Sequence, residues 1–182
     1  MAVDVFVVVT RWQLPELSII PMPTAVILTG DSVQYGNATS GGNCSYPFML
    51  AGASPSWVRM LYTADMVKPD KSGGFIGAMA FYNSYSYYLT HHNVKIYLKA
   101  TTATNLTGLG TSTIDPIADG ATLVYQGDIN GAPGWGTKVM FDRGFLLPAG
   151  MNLMYYMVDD DLKNACSTSI IYYTTNATSY TS

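Results

Sequence analysis

The 182-residue chain is long enough for one well-buried core and short for two. It is 48% hydrophobic yet only 12% charged, about half the usual charged share, so its polarity comes from Tyr, Thr, Ser, Gly and Asn rather than from ions. Nine Lys and Arg residues are scattered singly under a net charge of −3, which argues against nucleic-acid binding, and no apolar run is long enough to span a bilayer.

Residues 3–10 are Val-rich, alternate weakly and read as a β-strand. The apolar run there is interrupted by Asp4 and has Arg11 after it rather than before, so it is a poor match to a secretory signal. The stretch Trp12–Pro23 follows, and its Pro15, Pro21 and Pro23 favour an extended path. An extended apolar segment needs cover, either from its own domain or from a neighbouring subunit by strand addition. Residues 1–24 are therefore expected to form an extended N-terminal arm, and residues 25–182 a single β-sandwich domain.

Strands are expected at Ala25–Thr29, Trp57–Tyr62, Phe75–Tyr82, Asn93–Lys99, Thr122–Gly127, Thr137–Phe141, Asn152–Val158 and Thr168–Thr174, separated by Gly, Pro, Asn and Asp turns. Within them Val94, Ile96 and Leu98 alternate with Lys95, Tyr97 and Lys99, which predicts one core face and one wet face. Val139 and Phe141 alternate with Lys138 and Met140 in the same way, though less cleanly. The segment Thr63–Val67 predicts one short helical turn with Thr63 as N-cap. Gly127–Gly131 has the look of a truncated calcium loop, and a hairpin turn is the expectation there. The fold class is all-β: an antiparallel sandwich with an extended N-terminal arm.

Several segments in order carry a resemblance: Ser45–Phe48, Trp57–Asp65, Gly74–Tyr82, Asn93–Lys99, Ala121–Gly127, Gly134-Trp135 and Asn152–Asp161. Across residues 25–162 the chain resembles a jelly-roll-like β-sandwich module of Bacteroidetes surface and secreted proteins and of phages that infect them. The resemblance rests on order and spacing and implies a fold and a surface setting, with no catalytic residues to carry over. The first 24 residues have no counterpart in that module.

Chemistry-bearing residues are few. His91 and His92 are adjacent, so on a strand they face opposite sides and cannot act as one acid–base unit or chelate one metal. Asp159, Asp160 and Asp161 follow a strand; Asp159 and Asp161 can share one side and offer a structural Ca2+ site, with a solvated turn as the plainer reading. Tyr82, Tyr85, Tyr87 and Tyr88 are too dense to enter one core with their hydroxyls satisfied, and with Trp135 they form the candidate ligand-binding set, suited to sugars or a protein interface. Cys44 and Cys166 sit in polar, turn-rich stretches; as a disulfide they would close a long loop worth about 4–5 kcal/mol, and two free thiols are the equal alternative. Four Asn-x-Ser/Thr sequons, at Asn37, Asn43, Asn105 and Asn176, are read as incidental.

The expectation is a non-enzymatic virion structural protein of the capsid-decorating or head-fibre type, located on the virion surface. Residues 1–24 would dock on another copy or on a capsid subunit. No cofactor beyond the Ca2+ candidate, no nucleic acid and no membrane insertion are expected. The alternative is an extracellular or bacterial cell-surface adhesin that binds glycans.

Overall fold

The computed structural model describes residues 2–3, 5–10, 31–35, 56–67, 73–83, 89–106, 115–132, 134–159, 173–174 and 180–181. In chain order these form β1 (Ala2–Val3), β2 (Val5–Thr10), β3 (Asp31–Tyr35), β4 (Ser56–Tyr62), α1 (Ala64–Val67), β5 (Gly74–Asn83), β6 (Leu89–Thr101), β7 (Thr122–Gly131), β8 (Gly134–Leu147), β9 (Asn152–Asp159), β10 (Tyr173–Thr174) and β11 (Tyr180–Thr181). The protein is all-β and antiparallel. A five-stranded sheet has the order β11-β4-β9-β6-β7, a four-stranded sheet β3-β2-β5-β8, and β1 pairs with β10.

The pairing has a simple logic. β4 pairs with β9, β5 with β8 and β6 with β7, three nested antiparallel pairs centred on the β6–β7 connection. β6 also pairs with β9, which gathers β4, β9, β6 and β7 into one sheet and leaves β5 and β8 in the other. Apolar residues of both sheets join one core cluster, including Met60 from β4, Ile76 and Phe81 from β5, Ile96 from β6, Val139 from β8 and Tyr155 from β9. The Phe81 and Tyr155 rings, one from each sheet, lie 6.5 Å apart at an interplanar angle of 54°.

One flank of the two sheets is sealed by side chains. The Gln126 amide of β7 donates to Asp142 Oδ2 of β8 at 3.0 Å. At the turn between these strands, Thr137 Oγ1 accepts from the Ala132 amide at 2.8 Å and donates to the Ala132 carbonyl at 3.1 Å. These bonds occupy edge groups that would otherwise invite another strand.

The expected strands at 57–62, 75–82 and 152–158 are present with ends shifted by a residue or two. β7 and β8 run further than the sequence suggests. Gly127–Gly131 is not a hairpin turn: it belongs to β7, with Ile129 opposite His91 and Asn130 opposite Thr90. A Cβ at Gly127 would stand 3.0 Å from the Tyr125 hydroxyl oxygen, so this glycine marks a close approach rather than a turn. Residues 5–10 of the expected arm form β2, hydrogen-bonded between β3 and β5. Residues 11–24, the candidate strand at 25–29 and most of the one at 168–174 lie outside the described residues.

The predicted wet face of β6 is only partly wet. Tyr97 is buried with Leu61, Met154 and Tyr156 beneath Leu106 and Ala121 of the β6–β7 connection. Val58–Tyr62 and Leu153–Met157 are accordingly buried at every position, as strands covered on both faces must be. The helical turn forms where expected, with the Met66 and Val67 amides bonded to the Thr63 carbonyl. Asn152 ties it to the connection: its Oδ1 accepts from the Ala64 amide at 2.7 Å and its Nδ2 donates to the Ala103 carbonyl at 2.8 Å.

Candidate functional site

Backbone register brings several of the candidate residues to one end of the fold. Asn83 at the end of β5 pairs with Gly134 at the start of β8, so Tyr82 and Trp135 occupy neighbouring strands at that end. Leu89 pairs with Gly131 at the same end, and Asp159 closes β9 opposite Ser56, at the start of β4. Tyr85, Tyr87, Tyr88, Asp161, Cys44 and Cys166 lie outside the described residues. No group of three or more His, Cys, Asp or Glu side chains able to hold a metal occurs among the described residues, and the Asp159 side chain is not one of those described.

Near this end the exposed face of β6 and β7 carries a polar cluster built on a β-bulge. The register shifts between His91 and Val94, and Asn93 takes a left-handed conformation with φ of 53°, which Asn tolerates better than most residues. As expected for strand neighbours, His91 is buried and His92 exposed. Asp128 holds the bulge together, with Oδ2 2.8 Å from His92 Nδ1 and Oδ1 accepting the Asn93 amide at 3.0 Å. The His92 hydrogen bond, followed by the Asn93 amide, keeps the Asp128 carboxyl below the usual range. Gln126 Nε2 donates to Asn93 Oδ1 at 2.9 Å, and the Tyr125 hydroxyl donates to the Asp128 carbonyl at 2.7 Å. Burial, with Asp142 and Asp128 nearby, pushes the Tyr125 phenol up, so it stays a donor. The hydroxyl of Thr90 donates to Asn130 Oδ1 at 2.8 Å. The cluster pins the bulge and presents imidazole, carboxylate and amide groups to solvent; it is not arranged as a nucleophile with its base.

A second cluster, on the covered face of the same sheet, escapes the sequence reading altogether. Arg59 of β4 lies opposite Tyr156 of β9, which lies opposite Tyr97 of β6. Arg59 is 2% exposed and Tyr156 fully buried, an unusual setting for a guanidinium in a chain this poor in charge. Asp119, from the β6–β7 connection, closes the row: its Oδ2 accepts the Tyr156 hydroxyl and its Oδ1 lies 3.1 Å from Lys99 Nζ. Burial alone would raise the Asp119 pKa, but the Tyr156 hydroxyl, Lys99 and Arg59 outweigh it and hold the carboxyl below its usual value. Burial, then the bond to Asp119, pushes the Tyr156 phenol far above its ordinary value, so it is a neutral donor at every physiological pH. Such a group is no general base. The cluster is suited to fastening the connection to the sheet. Its one trace in the sequence is Arg59, a lone charge inside the otherwise apolar run Trp57–Tyr62.

Compared with family models, with curated proteins and with solved structures, the chain matches none.

Proposed function

We propose that the chain is a non-enzymatic structural protein of a virion, a jelly-roll-like β-sandwich displayed on the particle surface and docked through its N-terminal segment on another copy or on a capsid subunit. The observation that carries this reading is the nested pairing of β4 with β9, β5 with β8 and β6 with β7. A long hairpin rolled up in this way gives alternate strands to two sheets, the scheme of jelly rolls used in capsid and lectin domains. Fold alone does not assign function. The functional part of the proposal draws on the low charge of the chain and on the Pro-interrupted apolar segment that follows β2.

Because β2 is a strand of the four-stranded sheet, docking falls to residues 11–24 rather than to the whole of residues 1–24. Deleting residues 11–24 shortens the link between β2 and β3 to six residues, 25–30, still enough for adjacent antiparallel strands. The expected outcome is a protein with the parent's β-sheet circular dichroism and cooperative unfolding that no longer joins its oligomer or particle. Assembly equal to that of the intact chain would overturn the docking role. Specific saccharide binding on a glycan array, lost in Tyr85→Ala and Tyr87→Ala, would instead favour the cell-surface glycan-binding reading.

A further inference from the structure

The β6–β7 connection is long for a link between paired antiparallel strands, and its described parts do not hang free. Its two described legs, residues 102–106 and 115–121, lie against the outer face of the five-stranded sheet and bury Leu106 and Ala121 there. The second leg is a tight turn. Asp115 Oδ1 accepts the Ile117 and Ala118 amides at 2.9 and 3.2 Å, and Gly120 and Ala121 donate to the carbonyls of Ile117 and Pro116. Gly120 has φ of 80°, which a side chain would resist, and this brings Asp119 to the sheet.

The polar fastenings between legs and sheet differ in kind. On the first leg, Ala103 is held by a neutral amide bond from Asn152. On the second, Asp119 is held by charge, with Lys99 from β6, Tyr156 from β9 and Arg59 from β4 around it. Apolar cover on this leg comes from Pro116 and Ala121, both buried, while Ile117 is 67% exposed.

We infer that residues 115–121 form a strap latched to the sheet by the Asp119 carboxylate, and that neutralising this one group releases the strap while the strands beneath stay folded. The groups facing Asp119 are the cations Lys99 and Arg59, which lower its carboxyl, and Tyr156, whose raised phenol stays a neutral donor, so the Asp119 carboxylate is the anion of the latch. The Asp115 carboxylate accepts amides of the strap itself and does not face the latch. The sign follows from the depressed carboxyl: the latch contributes above the unfolded-state pKa of Asp119 and is lost as pH falls through the lower, folded-state value. Release withdraws Ala121 from the cluster of Leu61, Tyr97, Met154 and Tyr156, against which Leu106 of the first leg also packs.

Residue-resolved hydrogen exchange on the full chain tests this. In Asp119→Asn at neutral pH, the Gly120 and Ala121 amides should exchange on the order of tenfold faster, the equivalent of about one charge-assisted hydrogen bond, while Val94–Leu98 and Leu153–Met157 keep their protection. The wild type should show the same selective loss on acidification, and Asp119→Asn should lose that pH dependence. Asp128→Asn, which removes the lowered carboxylate at the β6–β7 bulge, should leave strap exchange unchanged. The inference is overturned if strap and core amides lose protection together at every pH, or if Asp119→Asn retains wild-type protection. Should Asp119→Asn fail to fold, Tyr156→Phe keeps the buried ring and removes only the donor, and unchanged strap exchange in that variant overturns the inference equally.

Discussion

Replacing Tyr155 with Ala is expected to lower the unfolding free energy by about 3–5 kcal/mol in a denaturant titration, whereas Tyr155→Phe costs less than about 1 kcal/mol. Tyr155 is fully buried in the middle of β9 and its ring meets Phe81 across the gap between the sheets. Truncation therefore removes a ring from both sheets' shared core and leaves a cavity that the flanking strands, fixed by ladders on either side, cannot collapse to fill. The hydroxyl matters far less. It donates to Met157 Sδ at 3.0 Å, and a thioether is a weak acceptor, so the phenol retains little of what it gave up on leaving water. Burial, with Tyr62 nearby, pushes this phenol well above its ordinary value, so it carries no charge to lose. A large cost for Tyr155→Phe would mean that the hydroxyl, and not ring burial, fastens the two sheets.

Arg59→Ala is the second large effect, expected to cost about 3–5 kcal/mol, the range for breaking a buried charged contact by removing one member. Arg59 is buried beside Tyr156 and close enough to Asp119 to lower its carboxyl, so its loss leaves a void under the strap and one cation fewer around the latch. Arg59→Met restores most of the stem volume without the charge and should recover about half of the loss. The two variants also differ from wild type in acid: with less cation near Asp119, the carboxyl titrates closer to its ordinary value and the acid loss of stability begins at higher pH. Equal stability of Arg59→Met and Arg59→Ala, measured by chemical denaturation, would contradict the packing part of this account.

The strands were legible where one side chain in two faces the core. Val94, Ile96 and Leu98 mark the inner face of β6, and Val139 marks that of β8 with Lys138 and Met140 exposed. What alternation does not convey is cover on the second face. Lys95, Tyr97 and Lys99 look like a solvent face, yet Tyr97 is buried because the β6–β7 connection folds back over it. A clue was present in Leu153–Met157, five consecutive apolar or aromatic residues, the pattern of a strand buried on both sides. The latch could not be read from sequence because Arg59, Lys99, Asp119 and Tyr156 come from four separate elements and share no spacing. Glycine misled in the other direction. Gly127 and Gly131 look like turn residues, but pairing with Val94 and Leu89 keeps both in β7, where Gly127 gives the Tyr125 hydroxyl room to reach the Asp128 carbonyl. The candidate end of the molecule was legible only in part: register brings Tyr82 and Trp135 to adjacent strands, a relation between β5 and β8 that pairing, not residue type, decides.

The central claim, that the chain is a part of a particle, is tested most directly by where the protein is found. Particles from the source lysate are purified by density gradient, and the chain is quantified in each fraction by mass spectrometry. The account predicts that it bands with the particles at a fixed copy number per particle and stays there after a high-salt wash. Recovery in the soluble or cell-envelope fractions, with particles that lack it, would contradict the account.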